Sequence, residues 1–252
     1  MSSQRSALWS SDFELGPGEW FGDWLHEEVA KNVVLERDGF MPDRVRAAAL
    51  RLQQNRPPSE RYIAEVAWFD AFTAFTAPGK YVYFGRRLLE RCPHEDSAAF
   101  VIAHEIAHHD LGHLQLFTGS FAQRAARLQA GAFVILFFRL LQKRIYSPER
   151  ELAADRRALE LCLAAGYDLE KCLYLFHVME LIALDYGDLG AVYGLDPDSD
   201  SELSAEASIL TKARIWLYQR ERGYLPIQDR QAELAKYVTA LTGKRAVCPQ
   251  GA

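Results

Sequence analysis

The stretch AAFVIAHEIAHHDLGHL, residues 98 to 114, constrains this chain more than any other. It sets His104, His108, His109 and His113 beside Glu105 and Asp110 in what otherwise reads as an ordinary helix. Residues four apart on a helix lie one turn above each other on the same face. His104 and His108 are therefore placed so that both imidazoles reach one ion at the roughly 2 Å of a zinc–nitrogen bond. Glu105 is rotated about one residue round the helix. It is poorly placed as a third ligand and well placed beside a water held by the ion, where a general base belongs. A solvated polar face is the competing reading, and it fits poorly. Phe100, Val101, Ile102, Ile106 and Leu111 surround the motif, so the helix is expected to be largely buried. Unpaired imidazoles and carboxylates are costly there, and a metal removes that cost. A bound metal is the expectation.

A catalytic zinc needs a third protein ligand and one position left open for water. The best-delimited helix of the chain, SPERELAADRRALELCLAAG, begins at Ser147. Ser147 suits the N-cap, Pro148 the first helical position and Gly166 the C-terminal stop. The helix offers Glu149, Glu151 and Asp155. Glu151 and Asp155 share a face. A carboxylate on a metal, with a second one turn on bonding the outer N–H of a ligand histidine, is an arrangement metal sites favour. Their spacing equally serves a surface charge pattern with Arg150, Arg156 and Arg157, and spacing alone leaves the two readings level.

The remaining chain supplies a mainly helical α+β domain. At 252 residues, with 49% hydrophobic and 25% charged residues, it has the balance of a globular protein with a real core. Helical patterns run over about 20–35 and 42–54, the second ended by the prolines of NRPPSE. YIAEVAWFDAF and KYVYFG, separated by the Pro78-Gly79 turn, predict two short strands. Helix follows over 86–91, 95–114 and the segment before Ser147, then again from Asp168 and over 205–242, after an acidic loop at 187–204. Strands and helices do not alternate regularly, which argues against a doubly wound fold. The expected organisation is a loose lead-in over 1–18, one domain over 19–243 and a tail over 244–252.

H-E-I-A-H followed by E-L-A-A-D resembles the M48 family of zinc metallopeptidases, of the gluzincin type. AFTAPGKYVYFGRRLL, residues 74 to 89, is also similar to that family's Asn-Ala-Phe-x-x-Pro-Gly-Gly strand segment. The resemblance spans roughly residues 60 to 170 and implies a zincin-like domain with a small β-sheet beside the active-site helix. It implies His104, His108 and Glu151 as ligands of one Zn2+ per chain, Asp155 behind a ligand histidine, and Glu105 as catalytic base. His113 sits where many members have a further histidine. Thr73 replaces the family's asparagine and Lys80 its second glycine. Members often carry a His-Pro pair a few residues before an arginine; in SILTKARIW, Arg214 matches the arginine while Ser208-Ile209 fill the His-Pro place.

The implied activity is zinc-dependent endopeptidase action on a polypeptide, with residues Gly79, Lys80, Tyr81, Val82 and Tyr83 aligning the substrate at a sheet edge. Two other readings stand beside it: a zinc-stabilised module that grips extended chains without cutting them, and a latent peptidase held inactive by its aromatic N-terminus (Trp9, Trp20, Phe21, Trp24). A formal net charge of -5 without a basic run argues against nucleic-acid binding. The longest apolar run, AGAFVILFF at 130–138, is too short to span a bilayer, although a peripheral contact stays open. Without an apolar leader or paired cysteines, a cytoplasmic location with reduced thiols is expected. His109 with His113 as a second metal pair, Cys92 as a zinc-blocking thiol and DPDSDSE as a calcium loop are each disfavoured against structural or loop roles. The lone His177 is expected to be a core residue.

Overall fold

A computed structural model describes residues 19–68, 73–114, 147–185 and 227–244. Trp9, Arg214, Cys248, the apolar run at 130–138 and the acidic loop at 187–204 lie outside them. The architecture is mainly helical with one small sheet, as the sequence predicts, and that sheet has four strands.

Helix α1 (Glu19–Asn32) leads through β1 (Leu35–Glu36) to α2 (Phe40–Leu52). The aromatic and β-branched run after Tyr62 gives three strands rather than two: β2 (Ile63–Ala67), β3 (Ala74–Thr76) and β4 (Tyr81–Gly85). The short α3 (Arg86–Arg91) precedes α4 (Glu95–Asp110), which carries the histidines. After it come α5 (Pro148–Ala164), α6 (Leu169–Asp185) and α7 (Ile227–Thr242).

The strand order is β1-β2-β4-β3, with β2 and β4 parallel and both outer pairs antiparallel. Side chains alternate across a strand, and β4 sends them into two different layers. Val82 and Phe84 join the core formed with α2, α4, α5 and α6. Tyr81 and Tyr83 point the other way, where His26 of α1 stacks on Tyr81 at 4.1 Å and its Nδ1 is hydrogen-bonded to the Tyr83 hydroxyl at 2.8 Å. The sheet is thus covered by α1 on one face and by α4 on the other. Phe21 of α1 is fully buried, and α1 lies on the Tyr81 and Tyr83 face of the sheet, opposite the Val82 and Phe84 face. Its close approach depends on glycine: a Cβ on Gly22 would stand 2.4 Å from the Pro78 carbonyl oxygen and 2.5 Å from Gly79 Cα.

This topology corrects the expected substrate strand. Residues Tyr81, Val82 and Tyr83 lie in β4, whose two edges are taken by β2 and β3, so nothing can add there. Gly79 and Lys80 form the turn into it, and Lys80 Nζ donates to the Ser59 carbonyl. The physical reason is legible in retrospect: YVYF has no polar alternation, as befits a strand covered on both faces. The sheet edge beside α4 is β3.

Two helix ends are set by the same device. Gly112, at φ +67°, closes α4 with hydrogen bonds from the Gly112 N–H to the His109 carbonyl and from the His113 N–H to the His108 carbonyl. Gly166, at φ +74°, closes α5 in the same way through Leu163 and Cys162. Both are left-handed glycine stops satisfying the last carbonyls. At its start, α5 has the predicted cap: Ser147 Oγ accepts from the Arg150 N–H at 3.4 Å.

Candidate metal centre

Helices α4 and α5 pack directly on each other and are buried along their contact, so the polar residues of each meet inside the protein. Glu105, His108, Glu151 and Asp155 are all buried. The structure brings His104, His108 and Glu151 into one group whose ligand atoms lie within 4.8 Å of one another. The facing side chains form a small triangle, with both oxygens of Glu151 at its third corner. His104 Nε2 and His108 Nε2 are 3.1 Å apart, His104 Nε2 stands 3.5 Å from Glu151 Oε2, and His108 Nε2 stands 3.3 Å from Glu151 Oε1. Two ligand atoms about 2 Å from one tetrahedral ion are about 3.3 Å apart. The triangle therefore has the dimensions of a metal face.

Groups behind the triangle fix which nitrogens face inward. His104 Nδ1–H donates to Asp155 Oδ1 at 2.9 Å, leaving Nε2 turned to the centre. His108 Nδ1 meets His113 Nδ1 at 2.9 Å, with the same effect on its own Nε2. The glycine stop at Gly112 makes this second contact, because it folds the chain back toward His108. Outer partners of this kind orient ligand imidazoles and raise their basicity.

Two buried carboxylate oxygens, Glu151 Oε1 and Glu105 Oε2, make no hydrogen bond. Leaving such atoms unpaired is expensive, and a cation at the triangle's centre relieves the cost. Two imidazoles and a carboxylate are also a donor set suited to a divalent metal. The residues fit a metal.

The titration of these groups follows from the same burial. Desolvation lifts the Glu105 carboxyl to about 8. Burial opposes a charge on His104, but Glu151 and Asp155 outweigh it and raise the imidazole to about 10. Burial holds His108 below its usual value. Glu151 is driven the other way: burial disfavours its charge, yet His104, His108 and Arg230 hold it well below the carboxylate range.

The sequence pattern of peptidase family M48 matches residues 41–208. The chain belongs to peptidase family M48. The M48 match runs from α2 to beyond α6 and includes both helices of the triangle, so the metal-binding geometry and the family agree on a metallopeptidase at family level. No curated protein matches the chain. No helix among the described residues is long and apolar enough to cross a membrane.

Other residues singled out in the sequence lie elsewhere. His109 stacks on Tyr62 at 4.3 Å, and burial lowers its imidazole to about 4; it shares no metal group with His113 among the described residues. Cys92 is buried before α4, donates to the Leu88 carbonyl, and has its thiol pushed up to about 12 by burial. His177 lies edge-on to Tyr174 at 5.1 Å in α6, one turn from it.

One residue of the site was missed. Arg230, on α7, donates through Nε and Nη2 to Asp155 and stands 3.1 Å from Glu151 Oε2. No local pattern marks it, because it reaches the site from a separate helix late in the chain. Arg214, the arginine expected from the family resemblance, lies outside the described residues.

Proposed function

We propose that the chain is a zinc-dependent endopeptidase with His104, His108 and Glu151 as metal ligands and Glu105 as general base. The observation that carries this reading is the triangle of 3.1, 3.3 and 3.5 Å with the buried Glu105 carboxyl, whose Oε2 makes no hydrogen bond, next to His104 on the same helix. A zinc ion, when bound, supplies Lewis acidity that makes a water more acidic and a carbonyl carbon more electrophilic.

Glu105 handles the protons. Its carboxylate takes one from the attacking water as the new C–O bond forms at the scissile carbonyl carbon. The carboxyl then gives that proton to the departing nitrogen as the C–N bond breaks. A base is most effective when its pKa lies near the working pH, and burial raises Glu105 toward that range. Asp155 and His113 hold the two imidazoles in the required orientation throughout.

Substrate alignment falls to β3. The Gly85 N–H donates to the Thr73 carbonyl and the Ala77 N–H to the Tyr81 carbonyl, so odd-numbered residues of β3 face β4. By alternation, the backbone groups of Ala74 and Thr76 face away from β4; Thr76 is fully covered, and the partly exposed Ala74 is where an extended peptide can begin to add as a further strand. Reading backbone in this way suits a broad range of sequences.

Wild-type protein loaded with zinc is expected to cleave unfolded casein, and Glu105→Gln to lose at least about 100-fold of that rate while keeping its metal. Equal cleavage by the two proteins contradicts the proposal. A chain-gripping module would give binding without fragments in both.

A further inference from the structure

Arg230 does more than neutralise charge beside the triangle. Its guanidinium reaches from α7 to two carboxylates of α5, 87% withdrawn from solvent to judge by a side-chain exposure of 13%. Nε and Nη2 take the two oxygens of Asp155, the second at 2.8 Å. The same Nη2 stands 3.1 Å from Glu151 Oε2. The other Glu151 oxygen, Oε1, makes no hydrogen bond and stands 3.3 Å from His108 Nε2. Both oxygens face an imidazole, but they are treated differently: Oε2, 3.5 Å from His104 Nε2, is also held from outside by Arg230, while Oε1 is left to the centre alone.

We infer that Arg230 is a positioning residue that makes Glu151 a one-oxygen ligand and so keeps a coordination position open for water. The inference rests on Glu151 being a ligand. Two imidazoles and one carboxylate oxygen leave a fourth position free, which a catalytic site needs. A carboxylate that turned both oxygens inward would occupy it. The planar fork of arginine is what allows simultaneous bonds to Asp155 and Glu151; a lysine brings the charge but a single nitrogen. Charge alone therefore cannot substitute for the geometry.

Cobalt(II) reports coordination number directly, because its visible absorption is strong when four-coordinate and weak when five- or six-coordinate. Full-length chain stripped of metal is titrated with cobalt, beside Arg230→Lys, Arg230→Gln and Glu151→Gln, with circular dichroism and bound cobalt measured on each. Wild type is expected to absorb strongly. Arg230→Lys and Arg230→Gln are expected to bind one equivalent with several-fold weaker absorption. If Arg230→Gln does not fold, Arg230→Lys carries the test. Folded arginine variants that keep the wild-type spectrum overturn the inference, and so do folded variants that take up no cobalt, since all three ligands remain. Glu151→Gln separates the two levels. A changed spectrum there, with unchanged arginine variants, sinks only the role of Arg230; an unchanged spectrum in Glu151→Gln sinks the ligand assignment beneath it.

Discussion

Glu105 sits in surroundings that an ordinary glutamate never meets: it is 4% exposed, one oxygen has no hydrogen bond, and burial raises its pKa to about 8. In the metal-free protein that shift links stability to pH, and the sign is fixed. The folded carboxyl keeps its proton up to about 8, whereas the unfolded one loses it near 4.5. The contribution to stability is complete below the unfolded value and is lost as pH rises through the folded one. Glu105→Gln, which cannot ionise, is expected to melt with the wild type at pH 4.5 and above it at pH 9, by on the order of a few kcal/mol. Melting curves of the two metal-free proteins across that range check it; a gap that is constant with pH contradicts it. At this scale the sequence was most informative. The four-residue spacing of His104 and His108 places them on one face of α4 and Glu105 off it. Spacing left Glu151 level with a surface charge pattern, because i,i+4 acids serve both purposes; only the packing of α5 on α4 turns it inward. His113 and Arg230 reach the site through a helix stop and a third helix, and neither leaves a local pattern.

Among the elements, the helices were legible because their punctuation is chemical. Ser147-Pro148 opens α5 and Gly166 closes it, within a residue or two of what those residues predict. Asp168 Oδ1 likewise accepts the Glu170 N–H at 3.0 Å at the start of α6. The strands were harder. YIAEVAWFDAF, with Glu65 and Asp70 among its apolar residues, does not show where its strand ends, and nothing in AFT shows that β3 pairs with β4 as a hairpin. Strand order is a property of the whole sheet, so the sequence of β4 alone does not tell a central strand from an edge. The docking of α1 was also invisible, since it depends on Gly22 meeting Gly79 across the fold. That contact makes a prediction. Gly22→Ala places a methyl group against the Pro78–Gly79 backbone, and overpacking of this kind costs about 1–3 kcal/mol. The variant is expected to melt several degrees lower. An unchanged melting temperature removes the contact from the account.

The whole molecule is a layered support for one small triangle. The sheet lies between α1 and α4, and α4 is pressed against α5, whose outer groups are gripped by α7 through Arg230. The far end of α4 is anchored too: Asp110 accepts from Arg56 at 2.6 Å and stands 3.3 Å from Arg157 of α5. Residues far apart in the chain thus hold α4 and α5 in register, so the proposed metal site is preformed rather than assembled on binding. The central claim is that one ion occupies that place. Anomalous diffraction at the zinc edge, on crystals of zinc-loaded Glu105→Gln, tests it most directly. The account predicts one strong peak bounded by His104 Nε2, His108 Nε2 and the Glu151 carboxylate. Zinc found at another position, or a bare triangle in a protein carrying its equivalent of metal, would contradict it.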